Sequence, residues 1–347
     1  MLLSLIGTIA GLYPATVAFN ASLPGDIQIP VKSYIAGINW NEKYHRLYYL
    51  ESGKLHEWPT GRTISLKLRE DYCKYNEVRI VFSEDCENFL IETDHSRFIA
   101  GNLKTFGRNL VTFESSQAWW HNNSLVKVTS TYDPDSATIF WTDKKIVLEG
   151  LTVDDGHQDI AMAIKADDHT YQSTVKMLRL NFGSGRTRTL CEDSGWSEHY
   201  PHRMSWNENL KCVALAGPTD TGETSMNPFT VRVGRNKSIG YPPSFPSGMA
   251  GLPKWLGSRI LCTKEDINGD IIEQTHLQMV YRIVAIEPES GKQTDIVSYS
   301  KKHDWPTSQI GYCAYSEATN QLAWFEDTPE GKRIVVRKLD PNLELVK

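Results

Sequence analysis

Five times along the chain an aromatic residue is followed by a small turn-former and then by apolar residues seven and nine positions after the aromatic. The sets are Trp40/Asn41/Leu47/Tyr49, Phe82/Ser83/Phe89/Ile91, Tyr132/Asp133/Ile139/Trp141, Trp206/Asn207/Val213/Leu215 and Tyr315/Ser316/Leu322/Trp324. Successive strand residues point to opposite sides, so a two-residue offset puts the last two side chains on one face of a β-strand. Asn, Ser or Asp just after the aromatic supplies the side-chain-to-backbone hydrogen bonds of a tight reversal. Glu follows two positions after the aromatic in four sets (Glu42, Glu84, Glu208, Glu317), and Pro134 takes that place in the other. Each set predicts a strand end, a polar turn and a buried strand.

The aromatic markers are separated by 42, 50 and 74 residues up to Trp206, and Trp255 and Tyr315 continue at 49 and 60. Periods of this size in an all-strand chain predict propeller blades. Trp255 is a variant with a shorter turn, its strand beginning at Ile260 after Gly257 and Ser258. The 74-residue gap holds strand-like stretches at Asp159 to Ala166, Val175 to Phe182 and Thr187 to Cys191, enough for a blade without a marker. Counting it gives seven blades, and treating it as an insertion gives six; seven is favoured. Val175 to Leu190 and Tyr281 to Val297 read as hairpins on Gly-containing turns. No helical period of useful length and no extended linker appears. The fold class predicted is all-β: one β-propeller of four-stranded antiparallel blades over residues 26–347.

Composition agrees with many short strands: 10% aromatic residues, ten Trp, 24 Gly and 16 Pro. A net charge of -5 without a Lys/Arg cluster argues against a nucleic-acid partner. Residues 1–25 carry no charge where a 23% charged chain would place about six. That stretch reads either as a secretory signal with a small-residue processing site near Ala18, or as a first buried strand that closes the ring beside the last blade. It is too short and interrupted for a stable membrane span. The signal reading places the protein outside the cell or in the secretory pathway, and the strand reading leaves it cytoplasmic. Six cysteines suit either compartment. Cys73 with Cys86, or Cys191 with Cys212, are pairs open to a secreted protein, and Cys212, Cys262 and Cys313 otherwise read as buried thiols. Asn20, Asn122 and Asn236 each begin an Asn-x-Ser/Thr acceptor, as a glycoprotein requires.

Three stretches resemble known propeller families. Tyr281 to Val297 with Gly311 to Phe325 is similar to the TolB-type blade, Asp133 to Asp143 resembles the YWTD repeat with Phe140 in place of its Tyr, and Gly37 to Trp58 looks like the first blade of gluconolactonase-type propellers. These motifs are structural and imply fold rather than activity. The gluconolactonase resemblance would imply a metal-binding Glu shortly before Trp40. Ser33, Tyr34, Ile35, Ala36 and Gly37 stand there instead, with no carboxylate.

The densest polar constellation is DDGHQD, Asp154 to Asp159, continued by Asp167, Asp168 and His169. Carboxylates and imidazoles on loops could bind a divalent metal through Asp155, His157 and Asp159, or serve as acid and base through Asp155 and His157. The alternative is a solvated turn. GWSEHYPHRMSW, Gly195 to Trp206, gathers Trp196, His199, Tyr200, His202 and Arg203 in one inter-blade connection, where recognition usually resides; His199 and His202 are also candidates for catalysis. Trp119 and Trp120 beside His121, Asn122 and Asn123 would suit sugar stacking, or would be ordinary core residues. There is no GxSxG elbow, phosphate-cradling GxxxxGK[ST] or HExxH. The expectation is a binding protein that holds a protein, peptide, glycan or small molecule on one loop-built face and in the central channel. The alternative is an enzyme, of lactone hydrolase or lyase type, acting on a small sugar-like substrate there.

Overall fold

A computed structural model describes residues 25–66, 68, 78–94, 96–105, 108–132, 135–166, 172–197, 203–207, 209–210, 212–216, 229–232, 237–239, 249–270, 275–288, 290, 292–302, 313–328 and 331–339. These residues form seven four-stranded antiparallel sheets, which are the blades of one propeller. The first blade runs from its innermost strand outward as β2 (Ile35–Asn41), β3 (Arg46–Glu51), β4 (Lys54–Trp58) and β5 (Arg62–Ser65). The second is β6 (Arg79–Phe82), β7 (Asn88–Asp94), β8 (Arg97–Asn102) and β9 (Val111–Glu114). The third is β10 (Gln117–His121), β11 (Ser124–Tyr132), β12 (Asp135–Trp141) and β13 (Lys144–Glu149). The fourth is β14 (Thr152–His157), β15 (Ile160–Ala166), β16 (Gln172–Asn181) and β17 (Arg186–Ser197). The fifth and sixth are β18 (Arg203–Asn207) to β21 (Lys237–Ile239) and β22 (Met249–Leu256) to β25 (Gln293–Lys302). The count of seven therefore holds.

The seventh blade closes the ring with chain from both ends. Its inner three strands are β26 (Cys313–Ser316), β27 (Gln321–Thr328) and β28 (Gly331–Lys338), and its outermost strand is β1 (Ile27–Pro30). The closing strand thus starts just after the uncharged amino-terminal stretch, whose residues 1–24 lie outside the described residues. Ile29 pairs with Ile334 at the centre of this register. Asp26 accepts two parallel hydrogen bonds from Arg337, Nε at 3.0 Å and Nη2 at 2.7 Å, and the Arg337 guanidinium lies 5.0 Å from the Trp324 ring.

The repeat fixes the hairpin between the inner two strands of a blade. Trp40 pairs with Leu47, Phe82 with Phe89, Trp206 with Val213 and Tyr315 with Leu322, so the residue seven positions on is the aromatic's cross-strand partner around a four-residue turn. Blades three, four and six use two-residue turns, and the partner is then five positions on: Trp120 with Leu125, Gly156 with Ala161 and Trp255 with Ile260. The set at Tyr132 differs, since Tyr132 ends β11 while Ile139 and Trp141 lie on β12, one hairpin further out. The apolar halves of the sets are core: Leu47, Phe89, Ile91, Val213, Leu322 and Trp324 are all buried.

The polar half of the repeat joins blades. Asn41 accepts the Tyr44 amide within its own turn and donates Nδ2 to Cys86 O of the next blade at 2.8 Å. Asn207 does the same with Leu210 and Gly257 O. Glu42 accepts Ser316 Oγ and the Ala318 amide across the closure between blades seven and one, and Glu84 accepts the Asn122 amide of blade three. The aromatics act likewise, Trp40 donating its indole N–H to Ala314 O and Trp255 to Ser205 O, each in the preceding blade. Each such bond contributes about 1 kcal/mol net. Cys212 donates its thiol to Leu210 O and Cys86 carries a free thiol, so neither disulfide pairing exists.

Candidate functional site

The inner strands line the axis, and DDGH lies on one of them. Asp154, Asp155, Gly156 and His157 belong to β14, so the stretch read as a loop is strand up to His157; only Gln158 and Asp159 form the turn. Gly156 is there because of its neighbour. A Cβ on it would lie 2.3–2.4 Å from three atoms of the Trp119 ring, which crosses from blade three and donates Nε1 to Gln158 O at 2.9 Å. Blade four lacks an aromatic marker because Trp119 of blade three occupies that space.

Asp155 is buried and its oxygens are committed. Oδ1 takes the Arg79 guanidinium as an ion pair and the Gly156 amide at 2.8 Å, and Oδ2 accepts the Met204 amide at 3.0 Å. Arg79 comes from β6, Asp155 from β14 and Met204 from β18, so one carboxylate ties the inner strands of blades two, four and five, reaching past blade three. A buried carboxylate so bonded is a ring brace. Arg79 was not legible as a site residue: it is one cation at the start of an otherwise apolar strand.

His157 ends β14. Its side chain reaches solvent at the end of the strand, yet the protein packed around it desolvates the ring. That desolvation, and then the Arg79 charge, hold its pKa below the ordinary imidazole value, against the opposing pull of Asp155, Glu84 and Asp159. His121 ends β10. Its ring packs edge-on against Trp141 at 4.7 Å and lies 4.9 Å from Phe182, and burial lowers its pKa against Asp159 and Glu84. Glu84 and Asp159 bear on both imidazoles, which places His121 and His157 in one electrostatic neighbourhood at the turns of blades two to four. Imidazoles there can donate or accept hydrogen bonds to a ligand.

The proposed metal trio does not converge. Asp155 is held by Arg79, and Asp159 is turned to Arg179 at 3.3 Å. Among the described residues no three His, Cys, Asp or Glu side chains gather to hold a metal ion. The sugar-stacking pair also has another role: Trp119, 2% exposed, fills the space over Gly156, and Trp120 belongs to the core between blades two and three. Neither ring has a free face for a ligand. Trp196 lies near the end of β17, opposite Ser173, and Arg203 begins β18, so both flank the connection between blades four and five. His199, Tyr200, His202, Asp167, Asp168 and His169 lie outside the described residues.

Comparison with known proteins agrees with this architecture. The β-propeller domain of Cps50 (Swd1) from Myceliophteria thermophila superposes with a TM-score of 0.50, covering 92% of this chain and 100% of that domain at 10% identity. A chain of the mitotic checkpoint complex superposes with a TM-score of 0.55 at 11% identity, covering 98% of this chain and 99% of that one. No family model matches the sequence, and no curated protein does. The resemblances to TolB, YWTD and gluconolactonase propellers therefore reduce to what all these proteins share, the β-propeller fold.

Proposed function

We propose that this chain is a binding protein, a braced β-propeller that holds a protein or peptide on a face built from its inter-blade connections. The observation that carries this reading is the commitment of Asp155. The carboxylate best placed for acid–base work at the axis is spent on Arg79 and two backbone amides, joining three blades. A rigid ring of this kind presents loops in fixed positions, which lowers the ordering cost of recognition. Of the two solved structures named above, one is described as a β-propeller domain and the other belongs to a multiprotein complex.

The test presents purified protein with a displayed random-peptide library and, separately, with aldonolactones and aryl esters. Saturable binding of enriched peptides with no turnover is expected. Turnover of a lactone or ester at enzyme-like rates, lost in His157→Ala, would overturn the reading in favour of an enzyme.

A further inference from the structure

Among the described residues five large apolar side chains are exposed, and three of them, Val111, Phe140 and Val147, lie on two sheet surfaces that face each other. On β9, Val111 and Phe113 stand opposite Ala100 and Phe98, and Phe98 and Ala100 form the core between blades two and three with Ala118 and Trp120. On blade three, Lys127, Phe140 and Lys145 make one row across β11, β12 and β13, and Val147 stands in the next row. Lys127 Nζ lies 4.2 Å from the Phe113 ring centre, so this face of blade three looks onto blade two.

The opposite face of the same strand sets the standard. Ile146 and Leu148 of β13 are 1% and 4% exposed because blade four covers them out to the last strand. Val147, between them and facing blade two, is 51% exposed; Phe140 is 42% and Val111 55% exposed. The two blades diverge here into an open wedge at the ring's flank. Its charge is the reverse of the chain's: Lys127 and Lys145 flank Phe140, both exposed, in a protein of net charge -5, and Glu149 stands two residues beyond Val147.

We propose that the wedge between blades two and three binds an extended segment of a partner protein in which apolar residues alternate with Asp or Glu. An extended segment sends alternate side chains to opposite sides, so one set reaches Val111, Phe140 and Val147 while a carboxylate reaches Lys127 or Lys145. The chain's own residues 1–25 carry no charge and do not match the lysines. This inference extends the binding reading to a second surface, away from the axis and the connections.

A random-peptide library is selected against the whole protein, with counter-selection against Phe140→Ser/Val147→Ser, and enriched peptides are measured by fluorescence anisotropy. Acidic, apolar sequences are expected, with affinity falling about tenfold or more in the Phe140→Ser/Val147→Ser protein. In Lys127→Glu/Lys145→Glu, preference should turn to peptides carrying Lys in place of the acids. Circular dichroism and urea midpoints close to the parent protein's keep the comparison clean, since all four side chains are exposed. No enrichment over the counter-selected protein, or enrichment of uncharged or basic peptides, would overturn the proposal. So would sedimentation showing that the wedge pairs two copies of this chain and that the serine variant is monomeric. Peptides that bind but are indifferent to all four substitutions would refute the wedge while leaving the proposed function standing.

Discussion

Gly156→Ala tests the account of blade four, because one methyl group decides it. The new Cβ would sit 2.3–2.4 Å from three atoms of the Trp119 ring. Carbon atoms rest about 3.5–4.0 Å apart, so the ring or the strand must retreat by more than about 1 Å. Trp119 has little room: it is buried, packed with Val126, Val153 and Ala161, and held by its bond to Gln158 O. Overpacking of this kind costs about 1–3 kcal/mol, and loss of the indole bond adds about 0.5–1.5 kcal/mol. Gly156→Ala should therefore lower stability by about 1.5–4.5 kcal/mol, read from urea unfolding.

A second background separates this clash from any general intolerance of the strand. Trp119→Ala alone should cost about 3–5 kcal/mol, as an emptied core does. Adding Gly156→Ala to it should cost almost nothing, because the methyl then enters the space the indole left. The two changes should be non-additive by at least about 1 kcal/mol. Gly156→Ala within about 0.5 kcal/mol of the parent protein, or costs that simply add, would refute the assignment of Trp119 as the occupant of the missing marker's place.

Asp155→Asn removes the charge that balances Arg79 in a buried setting and should cost about 3–5 kcal/mol, with Arg79→Met/Asp155→Leu recovering much of it; equal losses in the single and double variants would contradict the brace. His56, His121 and His157 all have folded pKa values lowered by burial, so the unfolded chain takes up their protons first as the pH drops below about 6.5. Stability should be complete above that pH and fall below it, and His121→Gln/His157→Gln should flatten the acid slope in urea titrations at stepped pH. Asp26→Ala should cost about 1–3 kcal/mol and, by hydrogen exchange, speed the amides of β28 that pair with β1, while the amides of blade three keep their protection.

The fold was legible because its repeat is a geometric consequence of the inner hairpin. An aromatic and the residue seven on face each other only across a four-residue turn, so blades one, two, five and seven announced themselves. Blade three was displaced by one hairpin, since Trp120 is followed by a two-residue turn and the spacing contracts to five. Tyr132 with Ile139 imitated the pattern from the neighbouring hairpin. Blade four could be inferred only from its outer strands, because its inner strand is polar and its marker has been replaced by glycine. The site was much less legible. Aspartates next to a glycine read locally as a turn, and what makes Asp155 a strand residue is an arginine 76 positions earlier, an ion pair no local pattern contains.

The polar residues of the repeat take on a different meaning once the ring is seen. Asn41 and Asn207 satisfy their turns, as their type suggests, but each also reaches the turn of an adjacent blade, and Glu42 spends its carboxylate on the neighbouring turn alone. Each blade packs on two neighbours, so a turn that is well formed but badly angled would open the ring. Placing the inter-blade bond on the turn residue couples hairpin formation to blade spacing, and one side chain enforces both. The same logic locates where the ring is not sealed. On the outer strands of blade three the side facing blade four is closed by Ile146 and Leu148, while on the side facing blade two Val147 and Phe140 meet water with two lysines beside them. A ring held at its inner turns can leave one outer wedge open without losing closure, and that separation of bracing from exposure is what leaves the flank available to a partner.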